Sequence, residues 1–366
     1  HLVDQARAYM EKTGHRSLKE RLLRKLLASL VPYPERFRAA LRLAPLGLPL
    51  RGLMRRLGLK ELAAMLDLAP KRGLRSPTYS GPGTAVTRAE RKGRVILLAG
   101  CAQQVLRPEI NDATIRVLAR RGVDVEVVAG AGCCGALVHH MGREEEAIAF
   151  AKKNVDAWSK AIAREPVDAI IINASGCGTT VKDYGHMLAR EPGYAERART
   201  VSALAKDITE FLAENDLGPP KRWSSLRVAY HSACSLQHGQ QVTEEPKQLL
   251  RDAGFTVLDI PEGHICCGSA GTYNILQPDL ARQLRDRKVA NIASLAPDIV
   301  AAGNIGCITQ LAPELGVPIV HTVELLDWAY GGPVPRGLEG YKQFVSDVPE
   351  PEMPKGKRTL QDFLRV

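Results

Sequence analysis

Eight cysteines fall into two sets of four with nearly the same internal spacing, and the chain has no others. Cys101 and Cys234 are 133 residues apart, as are Cys133 and Cys266, and Cys134 and Cys267; Cys177 and Cys307 are 130 apart. Both sets read C-x31-C-C-G, with a fourth cysteine 43 residues later in the first and 40 in the second. A register this close marks a tandem duplication, so the fold of one half constrains the other.

The segments around the cysteines alternate in character. In the first half, apolar runs at 95–99, 123–128 and 167–173 predict strands, and 111–120 and 143–160 predict helices. The second half repeats this, with strands at 226–230, 255–260 and 297–302 and helices at 245–253 and 279–295. Strands alternating with helices imply βαβ units and parallel sheets. The expected fold class is therefore α/β: two duplicated modules of parallel sheet flanked by helices, preceded by a basic helical segment. The expected divisions are a helical segment and linker at 1–92, modules at 93–216 and 226–330, and a proline-rich tail at 331–366.

Residues 1–70 repeat leucine at helical spacing with basic residues between, broken into short helices by Pro32, Pro34, Pro45 and Pro49. Residues 1–100 carry 21 Lys/Arg against 7 Asp/Glu, whereas the remainder carries 29 against 33, so the net charge of +10 belongs to the N-terminal part. Such helices suit an anionic membrane surface, an acidic partner or a neighbouring domain. They lack interleaved aromatics, so no nucleic-acid partner is expected. Apolar content is 45% and charged content 25%, ordinary for a globular protein. No apolar run reaches the roughly 18 residues that span a bilayer. Residues 1–30 contain no signal-peptide pattern, so a cytoplasmic, reducing setting is expected, where patterned cysteines serve metal or redox chemistry rather than disulfides.

Each cysteine group follows the carboxyl end of an expected strand. Ligands of parallel sheets bind beyond those ends, so Cys101, Cys133, Cys134 and Cys177 should meet at one rim, and Cys234, Cys266, Cys267 and Cys307 at another. Four thiolates can hold a [4Fe–4S] cluster or one tetrahedral zinc. Cysteines also serve as small apolar fillers, but eight in register across a duplication argue against that. The sequence GAGCCG at 130–135 matches a dinucleotide-binding fingerprint, yet its second glycine, Gly132, is not repeated, Ile265 standing there, while the cysteines are. His139, His140, His231, His238 and His264 lie near cysteines at positions that differ between the halves. They are read as neighbours of the site or surface groups, not ligands.

The doubled cysteine pattern resembles the cysteine-rich CCG domain of heterodisulfide reductase subunits. The wording GCAQ at 100–103, AGCCGA at 131–136, ASGCG at 174–178, HICCGSAGTY at 264–273, PDLARQLRD at 278–286 and AGNIGC at 302–307 is similar to the iron–sulfur subunit of glycolate oxidase. That resemblance covers roughly residues 1–330. It implies an electron-transfer chain with iron–sulfur clusters, [4Fe–4S] in type, on all eight cysteines. It also implies a separate FAD-binding dehydrogenase subunit that oxidises a 2-hydroxy acid. Electrons would then leave for a quinone or another acceptor at the cytoplasmic face of the inner membrane. Relatives often carry a fifth cysteine three residues after the fourth; here Thr180 and Gln310 stand there, which argues against the non-cubane cluster some of them assemble. The glycolate oxidase subunit also carries ferredoxin-like C-x2-C-x2-C-x3-C-P runs that this chain lacks, and these are expected upstream of His1. Two rival readings remain: a thiol/disulfide redox enzyme of heterodisulfide-reductase type, and a scaffold with zinc at one site or both.

Overall fold

The computed structural model describes residues 2–347 apart from His15, Lys71, Arg72, Pro77, Tyr79, Ser80 and Arg88. Two parallel sheets carry the duplicated halves. The first contains β1 (Gly83–Ala85), β2 (Gly93–Leu97), β3 (Val123–Val127), β4 (Ala169–Ile172) and β5 (Ala205–Asp207), in the order β1-β3-β2-β4-β5. Strands β2 to β5 are parallel; β1 runs antiparallel to β3. After β6 (Arg222–Ser224) come β7 (Arg227–His231), β8 (Thr256–Asp259), β9 (Ile299–Ala302) and β10 (Ile319–His321). They form an all-parallel sheet in the order β10-β9-β7-β8. In both halves the second parallel strand lies outside the first, and the third and fourth follow on the other side. A short ribbon pairs β6 with β11 (Val345–Asp347).

The three long strands of each half lie where the apolar runs predict them. Sheets covered by helices on both faces need largely apolar strands, which β4 (Ala-Ile-Ile-Ile) and the Val-Ile-Leu end of β2 (Gly-Arg-Val-Ile-Leu) supply. Side chains alternate across the sheet. Val95 and Leu97 face one core with Ile110, Leu118 and Phe211; Ile96 and Leu98 face another with Trp158 and Tyr184. The first core runs on without a break into the second module through Val228, Val300 and Leu326. Helices Leu2–Lys12, Leu18–Leu30 and Pro34–Gly47 precede the first sheet. Pro45 lies inside the last of these rather than ending it. Leu23, Leu27 and Ala28 pack against Val138, Met141 and Ala147. Among the described residues no helix is long and apolar enough to cross a membrane.

The carboxyl rims of the two sheets meet at a polar seam. The Ser175 hydroxyl lies 2.7 Å from that of Ser235, and Asn304 Nδ2 donates to Ser175 Oγ at 2.8 Å. Gln240 Nε2 donates to the Ser175 carbonyl at 2.9 Å, and Ser175 N–H donates to the Gly303 carbonyl at 3.2 Å. Farther along, helix Glu109–Arg120 packs on helix Thr322–Ala329, where Arg116 and Arg120 converge on buried Asp327 and Arg107 pairs with Glu324.

His321 closes the seam and gives it a pH dependence. Its Nδ1 accepts from Val323 N–H at 3.1 Å, so Nε2 carries the proton and donates to the Asn173 carbonyl at 2.8 Å. Burial holds its pKa down to about 4. An unfolded histidine titrates near ~6.5, so between these values the unfolded chain binds the proton first. Stability from His321 is full above about pH 6.5 and is lost as pH falls toward 4, at up to roughly 1.4 kcal/mol per unit. Urea unfolding at several pH values should show this slope, and His321→Gln should flatten it. An equal slope in both proteins would refute the assignment.

Candidate metal centres

The two cysteine quartets assemble at these rims. Cys101 follows β2, Cys133 and Cys134 follow β3, and Cys177 lies in the first turn of helix Ser175–Lys182 after β4. The Cys101 thiol adjoins Cys133, Cys133 adjoins Cys134, and Cys134 adjoins Cys177. Cys234, Cys266, Cys267 and Cys307 occupy the matching places after β7, β8 and β9. Cys234 Sγ lies 4.0 Å from Cys266 Sγ, Cys266 adjoins Cys267, and Cys267 adjoins Cys307. All eight are free thiols, and Cys101, Cys133, Cys134, Cys267 and Cys307 are buried. Thiols separated by up to 76 residues in sequence thus converge because parallel strands end side by side.

Local backbone aims the paired cysteines. Gly135 and Gly268 follow them with φ of +85° and +88°, the left-handed region that glycine enters at little cost. That turn points amide groups back at sulfur: Gly135 N–H donates to Cys133 Sγ at 3.4 Å, Ala136 N–H to Cys134 Sγ at 3.5 Å and Gly268 N–H to Cys266 Sγ at 3.3 Å. Such donors stabilise negative charge on sulfur and tune a centre bound there. In the first module Asn154 ties the turn down, accepting from Gly132 N–H and donating to the Cys133 carbonyl. The Tyr184 hydroxyl donates to the Cys134 carbonyl at 2.8 Å. In the second module fully buried Lys288 donates to the Glu262 and Gly263 carbonyls instead. Its ammonium brings positive charge near the second quartet and has no counterpart in Asn154.

The quartets also differ in proton affinity. In the first, contact with Cys133, then burial, raises Cys101 well above the usual thiol range. Cys133 and Cys134 each gain a donor thiol on one side, but the acceptor thiol on the other side together with burial pushes both up. In the second, Cys234 and Cys267 are raised through contact with Cys266, with burial adding. Cys266 is pulled down by the Cys234 and Cys267 thiols that donate to it. Cys307 is lowered to about 6, chiefly by Cys267 and also by His231, against the effect of burial. Ligating sulfurs must be thiolates, so a metal entering either quartet displaces protons from it.

His231, set aside in the sequence as a neighbour, ends β7 and is 2% exposed. Its ring, Cys267 Sγ and Cys307 Sγ offer ligand atoms all within 4.8 Å of one another. His139 and His140 lie beside Asp4 on the N-terminal helix, and His238 stands near the His264 carbonyl. The GAGCCG segment supplies two cysteines to the first quartet and has a side-chain amide, Asn154, against its backbone.

Comparison with known proteins defines the class. The cysteine-rich CCG domain matches twice, at residues 95–182 and 228–312. The chain is similar to the glycolate oxidase iron–sulfur subunit of Escherichia coli strain K12, 40% identical over 90% of this chain and 76% of that protein. It is also similar to the probable glycolate oxidase iron–sulfur subunit of Bacillus subtilis strain 168, 30% identical over 90% of this chain and 78% of that one. Lactate utilization protein A of Bacillus licheniformis is 24% identical over 64% of this chain and 99% of its own length. The chain belongs to the glycolate oxidase iron–sulfur subunit family, built on tandem CCG domains.

Proposed function

We propose that this chain carries electrons through two iron–sulfur clusters, as a subunit of a flavin-dependent dehydrogenase of glycolate or a similar 2-hydroxy acid. The ligands are Cys101, Cys133, Cys134 and Cys177 in the first module and Cys234, Cys266, Cys267 and Cys307 in the second. The observation that carries this is the doubled convergence of four free thiols at a strand-end rim, in a chain 40% identical to an iron–sulfur subunit. The donor set suits the group: cysteine thiolates hold Fe–S clusters, and amides directed at sulfur are the groups that set their potential. Bound clusters supply one-electron redox chemistry. The chain's own part is to hold them, exclude water with the buried sulfurs, and direct Gly135, Ala136 and Gly268 amides at the ligands. Oxidation of the hydroxy acid takes place on an FAD-binding partner subunit, and electrons leave to a quinone or another acceptor. The cytoplasmic face of the inner membrane is the expected setting.

Zinc in the second module is the alternative, favoured by one observation. The 4.0 Å between Cys234 and Cys266 sulfurs is near the ~3.8 Å that tetrahedral ~2.3 Å zinc–sulfur bonds produce. Anaerobic purification followed by iron, sulfide and zinc analysis separates the readings. Iron and sulfide for two clusters per chain are expected. Iron for one cluster with one zinc would establish zinc in one module, and zinc alone would overturn electron transfer.

A further inference from the structure

The duplication makes the two centres look interchangeable, yet one position breaks the equivalence at the ligands. His231 lies 133 residues after Leu98, the same interval that relates Cys234 to Cys101. The first module thus has a buried leucine where the second has an imidazole. The ring is enclosed in the second core rim, and neither Nδ1 nor Nε2 has a hydrogen-bond partner of ordinary geometry. A polar group buried without a partner is costly, so an imidazole held there calls for a ligand. The groups facing it are the sulfurs of Cys267 and Cys307, close enough for all three to reach one metal site.

We infer that His231 is a nitrogen ligand of the second centre beside Cys267 and Cys307, taking the place of one of Cys234 and Cys266, so that this is a mixed sulfur–nitrogen site, whereas the first is all-sulfur. The inference rests on the metal-binding reading above. Imidazole is neutral where thiolate is anionic, and exchanging thiolate for histidine raises the potential of an iron–sulfur centre. Lys288, held by the Glu262 and Gly263 carbonyls, lies near Cys266, Cys267 and Cys307. The second centre therefore holds electrons more tightly than the first, and the direction of flow is from the first module to the second.

The test uses the full chain reconstituted anaerobically with ⁵⁷Fe, with iron, sulfide and zinc measured in the same samples. Mössbauer spectra should resolve a nitrogen-ligated iron as a separate doublet. His231→Leu, which installs the residue of the first module, should abolish that doublet and leave the first centre's signal intact. His231→Cys guards against misfolding: it should keep full iron content, lose the doublet and shift the second potential downward. If zinc fills the second site, its absorption-edge spectrum should show one nitrogen among sulfurs, lost in both variants. Two clusters with identical spectra in wild type and His231→Leu, or an all-sulfur zinc shell, would overturn the inference while leaving metal binding standing. Protein that takes up no metal would overturn the underlying reading instead.

Discussion

Asp327→Ala is expected to lower the unfolding free energy by about 3 kcal/mol and to loosen the two modules from each other. Asp327 is 1% exposed, and its two oxygens receive Arg116 Nε at 2.9 Å and Nη2 at 2.6 Å on one side and Arg120 on the other. Burial raises its carboxyl pKa, and Arg116 and Arg120 oppose that rise. Both arginines belong to helix Glu109–Arg120 of the first module, and the aspartate to helix Thr322–Ala329 of the second. Removal of the carboxylate leaves two like charges side by side, each only about 30% exposed, with no anion between them. Asp327→Asn keeps the shape and one acceptor set and should lose less. Chemical unfolding measures the loss, and limited proteolysis near residues 217–225 reads module separation. A loss under about 1 kcal/mol for the alanine variant would mean that the shared apolar core alone fixes the modules.

Gly268→Ala should cost about 3 kcal/mol and empty the second centre, whereas Gly135→Ala should cost about half as much. The two glycines share a left-handed φ, so backbone strain is common to both. The surroundings separate them. A Cβ on Gly268 would lie 2.4 Å from the Ala281 carbonyl oxygen, which belongs to helix Pro278–Ala293 and cannot yield without moving the helix. On Gly135 it would lie 3.1 Å from the Ala147 carbonyl and 3.3 Å from Phe150 Cβ, a fit that a small shift relieves. Displacing the Gly268 turn also withdraws its amide from Cys266 sulfur. Denaturation midpoints and metal content of the two variants give the comparison. Equal losses would show that conformation, not packing, sets the cost.

The convergence of the thiols was legible because duplication and strand-end placement are both written in cysteine spacing. The fourth parallel strand of each sheet was not. β5 is Ala-Lys-Asp and β10 is Ile-Val-His, three residues each, too short to show a period. The turn-rich stretch before β2, read as a linker, contributes β1, whose Gly-Thr-Ala has only its threonine to favour a strand and is held by its pairing to β3. His231 is hard to single out in the sequence for a different reason. Reasoning by register discounts any residue that occurs in one half alone, and Leu98 stands opposite it. Its position as the final residue of an apolar strand, three before a cysteine, was the available signal.

The polar seam also sets a distance scale. From Cys177 it is two residues back to Ser175, one hydroxyl contact to Ser235, and a single peptide step to Cys234. Were the quartets to hold clusters, this bridge would be a short covalent and hydrogen-bonded route between their ligands inside one polypeptide. Exchange between two such centres would then need no docking event, because folding of the chain itself places both ends of the bridge.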